Sequence, residues 1–279
     1  SGRRQESHGE THAGEGRGGA WVPGLPDPVP CPEPRAAAAR QCLLEAAGVA
    51  PEPTAKGDGS PVTAVDQAVE DRLREMISAA YPDHGIVGEE RGAVAAGRQF
   101  VWALDPIDGT LPFLAGFPVY GTLIALLRDG APVLGVIEMP VTGERWVGCE
   151  GLPAMRNGKP VHTRPCEDLA DALMSTSNPD FYGADDRPAL DRMKASTRWC
   201  VYGGSCMAYA QIASGRIDVG IDVNFDIYDF LALVPVIEGA GGVITDWEGQ
   251  PLTMNSGART IAAGDRRIHG RALSLLAAG

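Results

Sequence analysis

No run of about 18–20 consecutive apolar residues occurs in this 279-residue chain, so no segment has the length and composition of a membrane-spanning helix. The N-terminus also lacks the apolar core of a secretory signal, and the expected setting is soluble and cytoplasmic. Basic residues are short: 24 Lys+Arg stand against 36 Asp+Glu, a net charge of −12. Without a basic surplus to neutralise a phosphate backbone, a nucleic-acid polymer is not an expected partner. The six cysteines (Cys31, Cys42, Cys149, Cys166, Cys200, Cys206) contain no C-x-x-C pair. That spacing argues against a zinc site and predicts reduced thiols. The acidic D-x-[DN]-x-[DN]-G calcium loop is missing as well, and no internal repeat is visible.

What is present suits a globular fold, with 44% hydrophobic and 22% charged residues. Residues 1–33 are expected to be disordered or extended. The first nineteen have almost no apolar residue, which makes His8 and His12 solvated rather than a metal pair, and six prolines follow between Trp21 and Pro34. Residues 34–279 form the expected domain, with an N-terminal half to about 165 and a C-terminal half from about 166.

An Ala-rich helix is predicted over 35–47 with Gly48 as its cap, and a second helix over 63–80 from apolar residues at helical spacing. A loop ending in Gly88-Glu89-Glu90 separates it from a buried strand over 100–104. Strands over 120–127, 133–138 and 144–149, joined at Asp129-Gly130 and Thr142-Gly143, predict an antiparallel meander. The second half reads as helix 205–214, strand 217–222, an apolar helix from Asp229 to Gly241 kinked at Pro235, strands 243–245 and 260–263, and a terminal helix 266–276. The expectation is a layered α+β architecture.

The chemistry concentrates in Asp105-Pro106-Ile107-Asp108-Gly109-Thr110. Two carboxylates on a proline-braced loop after a buried strand suit a hard cation such as Mg²⁺. Gly109 permits close backbone approach, and a helix starting at Thr110 would turn free N–H groups toward phosphate. Taken singly, Glu89 reads as a solvated loop residue, Asp66 as part of a Thr63-x-x-Asp66 capping box, and Asp229 as a helix cap.

Together, Val62 to Gln67, Gly88-Glu89-Glu90, Asp105 to Thr110 and Tyr228-Asp229 ahead of Gly241-Gly242 resemble the inositol monophosphatase family over residues 35–276. The resemblance implies the family's sandwich of alternating α/β/α/β/α layers, shared with fructose-1,6-bisphosphatase, and a homodimer. It implies two or three Mg²⁺ per site: one held by Glu89, Asp105 and the Ile107 carbonyl, a second by Asp105, Asp108 and Asp229, a third near Asp66. Glu89 and Thr110, backed by Asp66, would orient and deprotonate the attacking water, while Asp108, Gly109 and Thr110 would hold the phosphate.

Within the family, the stretches 121–126, 144–148, 202–204 and 228–249 are similar to the histidinol-phosphate phosphatase branch. That branch usually has an acidic residue where Ser205 stands, and a polar or basic residue where Leu111 stands. Gly204, Ser205, Asp222 and Asp229 are the residues expected near the organic part of the substrate. The expected substrate is a nucleoside 5′-monophosphate or a similar hydroxyl-rich ester. Histidinol phosphate is the alternative if Asp222 supplies the missing charge, and a silent binding protein on the same fold is a third reading.

Overall fold

The computed structural model describes residues 33–46, 51–57 and 59–277, all within the unit Pro32–Gly279. The expectations for residues 1–32 and for the Gly48 cap lie outside these residues. Helix α1 (Glu33–Ala46) buries Ala36, Ala39 and Leu43, and α2 (Ala64–Ala80) buries Val69, Leu73 and Ile77 at four-residue intervals. Such spacing gives each helix one inward stripe. Thr63 stands outside α2 as its N-cap, so the helix begins one residue later than predicted. Between the helices, β1 (Thr54–Ala55) and β2 (Pro61–Val62) form a short antiparallel hairpin.

The large sheet contains β3 (Gly85–Gly88), β4 (Gly92–Val94), β5 (Phe100–Asp108), β6 (Gly121–Arg128), β7 (Ala131–Met139), β8 (Glu144–Cys149), β9 (Met155–Arg156) and β10 (Lys159–Pro160). Its order is β10-β9-β8-β7-β6-β5-β3-β4. The meander β5 to β8 is antiparallel as predicted, and β3 pairs with β5 in parallel. β3 falls where a loop was expected, and β5 runs four residues past its predicted end. Helix α3 (Thr110–Ala115) links β5 to β6.

The second sheet comprises β11 (Leu173–Thr176), β12 (Trp199–Tyr202), β13 (Val219–Asp222), β14 (Val243–Asp246) and β15 (Thr260–Ala263), in the order β12-β11-β13-β15-β14. With it come α4 (Arg187–Ser196), α5 (Ser205–Ala213), α6 (Ile227–Leu231), α7 (Leu233–Gly239) and α8 (Arg266–Ala277). β11, β12 and α4 were not anticipated. The predicted apolar helix from Asp229 is split in two at Ala232. Pro235 has no N–H to offer the Leu231 carbonyl, which accounts for the break one turn before it.

One core joins the large sheet to α5, α6 and α7, through Leu123, Ile137, Trp146, Tyr209, Phe230 and Ile237. Another joins the second sheet to α4 and α8, through Leu190, Met193, Ile221, Ile268 and Leu276. Helices α1 and α2 pack together and contact strands of the large sheet. The result is an α+β sandwich with alternating α/β/α/β/α layers. Gly135 and Gly148 are cross-strand partners on β7 and β8. A side chain there would meet the Ala232 carbonyl at 2.0 Å and Pro235 backbone at 2.2 Å, so these glycines let the α6–α7 backbone lie directly on the sheet.

Candidate active site

In a regular strand, residues three apart point to opposite faces. Asp105 and Asp108 escape that rule because the β5–β6 register shifts between them, from Asp105↔Leu123 to Asp108↔Gly121. Pro106 occupies the irregular stretch, and its carbonyl accepts the buried Thr122 hydroxyl at 2.8 Å. A bulge of this kind re-aims side chains. Asp229 arrives from the third turn position of α6, where its carboxylate accepts the Asp226 N–H at 2.8 Å. Asp226, not Asp229, is therefore the N-cap of that helix. Oxygens of Asp105, Asp108 and Asp229 all lie within 4.8 Å of one another.

Three carboxylates so close, one buried and two half-buried, resist ionisation. Burial first, then the charges of Glu89, Asp108 and Asp229, push Asp105 well above the usual carboxylate range. Asp229 is raised in the same way by burial and by Asp108. Burial also raises Asp108, against hydrogen bonds from Cys206 that lower it. The Cys206 N–H, at the start of α5, reaches Asp108 Oδ2 at 2.5 Å. Asp105 Oδ1 is buried with no N–H or hydroxyl donor on it, and the neighbouring group is the Glu89 carboxylate. An orphaned acceptor among repelling carboxylates fits a hard cation, and the donor set is all oxygen.

Glu89 follows β3, with its N–H on the Leu104 carbonyl at 3.1 Å. Its carboxylate is met by Lys56 Nζ at 2.5 Å, and the same ammonium reaches Glu90 at 2.6 Å. Partial burial lowers the Lys56 pKa, but the two glutamates outweigh it and hold it above that of free lysine. Lys56 escaped the sequence reading. The only signal was its place in a Gly-rich turn.

Asp66 Oδ2 accepts both the Thr63 N–H at 2.8 Å and the Thr63 hydroxyl at 2.6 Å. Thr110 donates its hydroxyl to the Ile107 carbonyl at 3.2 Å. Thr110 is thus held by the Ile107 carbonyl, and Asp66 by Thr63, with which it completes a capping box. Gly109 adopts a left-handed φ of 83° as the N-cap of α3. Gly204 precedes α5, and Ser205 has a φ of 46°. The Ser205 hydroxyl lies against Gly109, 2.5 Å from where a side chain on that glycine would begin.

Asp222 differs from expectation. It is buried, and its oxygens accept the Ser177 N–H at 2.7 Å, the Ser177 hydroxyl at 2.5 Å, Thr176 at 3.1 Å and Tyr209 at 2.8 Å. Burial pushes its pKa up to about 6 despite those donors. Three of these donors fall on Oδ1 and one on Oδ2, so protein groups already share the charge that a substrate ammonium would need.

A model of the "Inositol monophosphatase family" matches residues 34–278. The chain belongs to the inositol monophosphatase family. It is 43% identical over 230 residues to the chloroplastic bifunctional phosphatase IMPL2 of Arabidopsis thaliana, covering 79% of this chain and 66% of the relative, just under two thirds of its length. The histidinol-phosphatase of Chlorobaculum parvum is 35% identical over 196 residues, covering 70% of this chain and 76% of that one. An inositol monophosphatase structure from Zymomonas mobilis superposes with a TM-score of 0.80 at 38% identity, covering 88% of this chain and 95% of that one. These family relatives are named phosphatases, which places phosphomonoester hydrolysis as the reaction class. Among the described residues no helix is long and apolar enough to cross a membrane.

Proposed function

We propose that this protein is a Mg²⁺-dependent phosphatase acting on a small phosphomonoester. The observation that carries the reading is the convergence of carboxylate oxygens of Asp105, Asp108 and Asp229, with one buried Asp105 oxygen left without a donor. Glu89, Asp105 and the Ile107 carbonyl would hold one ion, Asp105, Asp108 and Asp229 a second, and Asp66 would stand near a third. When bound, Mg²⁺ supplies positive charge to the phosphoryl oxygens and acidifies water at the site. Glu89 Oε1 would accept a proton once Lys56 releases it, and Thr110 Oγ1 would help to hold the attacking water. The N–H groups of Gly109 and Thr110 would hold phosphate oxygens.

The substrate proposed is a nucleoside 5′-monophosphate or similar hydroxyl-rich ester. Ser205 supports it, because a hydroxyl can bond a ribose but cannot balance a full positive charge. The engaged carboxylate of Asp222 supports it too. The histidinol-phosphatase relatives favour histidinol phosphate as the second reading. A homodimer is part of the proposal, supported by exposed Trp199, Val201 and Tyr202 on the edge strand β12.

The test is phosphate release with and without Mg²⁺ across nucleoside monophosphates, histidinol phosphate, inositol phosphates and sugar phosphates. Activity lost on chelation and restored by Mg²⁺ is the expected result, and full activity after chelation overturns it. Ser205→Asp should move the kcat/KM ratio at least tenfold toward histidinol phosphate, as one well-placed ion pair is worth about 2 kcal/mol or more. A wild type that already prefers histidinol phosphate by a wide margin overturns the substrate assignment.

A further inference from the structure

Glu70 lies one helical turn beyond Asp66 on α2 and is fully buried. Its Oε2 accepts the Glu90 N–H at 2.7 Å, and its Oε1 accepts the Arg91 N–H at 3.1 Å. Arg74, the next residue at four-residue spacing, donates Nε to the same Oε1 at 2.7 Å and also reaches the Gly92 carbonyl. A carboxylate receiving two successive backbone N–H groups, and balanced by a guanidinium, is a rigid and charge-compensated arrangement. It grips the two residues that follow Glu89, while β5 grips the N–H of Glu89 itself.

The strand end is shaped to receive this pair. A side chain on Gly88 would begin 2.0 Å from Glu70 Oε1 and 2.7 Å from an Arg74 nitrogen. Glycine at 88 thus leaves the space that the Glu70 carboxylate occupies.

We infer that Glu70 is a positioning residue that fixes the direction of the Glu89 side chain by clamping the backbone just beyond it. This rests on the reading of Glu89 as a metal ligand. Glutamine at position 70 has the same shape but cannot do the same work. One end of its amide is a donor, so either the Glu90 N–H or the Arg91–Arg74 pair faces another N–H.

The experiment compares wild type, Glu70→Gln, Glu89→Gln and Ile77→Ala. Ile77 is buried on the same helix two turns further on and serves as the control for simple loss of stability. Two readouts need no substrate: amide hydrogen exchange at Glu90 and Arg91, and calorimetric titration with Mg²⁺ alone. In Glu70→Gln the exchange should rise tenfold or more, and the Mg²⁺ Kd should rise about tenfold, as for other groups that orient metal ligands. At saturating Mg²⁺ its kcat should return to within about threefold of wild type. Ile77→Ala should lower Tm while leaving the Mg²⁺ Kd and these two amides unchanged.

An Mg²⁺ Kd within twofold of wild type in Glu70→Gln overturns the inference, as does an equal rise in Ile77→Ala. Equal Mg²⁺ affinity in wild type and Glu89→Gln overturns instead the metal reading of Glu89, and the inference with it. If Glu70→Gln does not fold, Gly88→Ala displaces the same carboxylate from the other side and is held to the same two readouts.

Discussion

Asp108 accepts the Cys206 amide on one oxygen and faces Asp105 and Asp229 with the rest of its carboxylate. Asp108→Asn keeps an acceptor for Cys206 but removes charge from the cluster. Turnover should fall by about a thousandfold or more if this charge is needed to hold the ion. The metal-free protein should be as stable as wild type or more so, because burial and neighbouring charge oppose ionisation there. Steady-state kinetics and thermal melts in chelator check both halves. A variant that unfolds, or that retains a tenth of the activity, contradicts the assignment.

Asp222 and His269 give stability opposite pH dependences. With a folded pKa of about 6 against an ordinary 3.8, Asp222 binds more protons folded than unfolded. Its contribution therefore falls as pH rises from about 4 to 6, by about 3 kcal/mol in all. Burial, then the nearby Arg266 charge, push His269 down to about 4 from 6.5. It binds fewer protons folded than unfolded, so its contribution is lost as pH falls from about 6.5 to 4, by a similar amount. Asp222→Asn should leave the His269 slope exposed, with denaturant stability dropping more steeply on acidification than in wild type. His269→Gln should do the reverse, and parallel profiles for all three proteins would refute both pKa assignments.

At the scale of elements, α6 delivers Asp229 and the break after it lets α7 follow on the same sheet. The helix pair rests on Gly135 and Gly148 with its backbone against theirs, so the height of Asp229 above the sheet depends on two missing side chains. Gly148→Ala should cost about 1–3 kcal/mol or more, since the obstacle is Pro235 backbone rather than a movable side chain. It should also lower activity at fixed Mg²⁺ by shifting Asp229. Chemical denaturation and an Mg²⁺ titration read these effects separately. The sequence marked Pro235 as a helix breaker, yet the splitting of one expected helix into two became visible only with the sheet beneath it. β11, β12 and α4 went unread for a related reason. Parallel strands such as β11, β12 and β13 gain their partners across long crossovers, which leave no local turn signal between them.

For the whole molecule, folding without a cation means burying mutually repelling carboxylates. Mg²⁺ should therefore stabilise the protein in the absence of any substrate. At a hundred times its Kd the gain is about 2.7 kcal/mol. For a chain of this size that is roughly 5–10 °C in Tm. Scanning calorimetry with Mg²⁺, then with excess chelator, checks this, and a Tm indifferent to Mg²⁺ would count against the metal site as a whole.

The sequence alone determined the pieces whose causes are local. Asp105 and Asp108 stood out because a proline-braced pair of carboxylates after an apolar run is a pattern of six consecutive residues. The meander β5 to β8 stood out because hairpin turns join neighbours in sequence. Asp66, Glu89 and Asp229 were named through family resemblance, and Asp229 meets Asp105 and Asp108 in the fold. Tertiary structure decided the rest. Lys56 meets Glu89 across 33 positions, Cys206 meets Asp108 across 98, and Glu70 meets Glu90 across 20. Asp222, the same residue on paper as any other candidate acid, turned inward to Ser177 and Tyr209 across 45 and 13 positions. Side-chain periodicity and turn chemistry act over a few residues, whereas the direction in which a buried carboxylate points is set by whichever donors the packed layers bring to it.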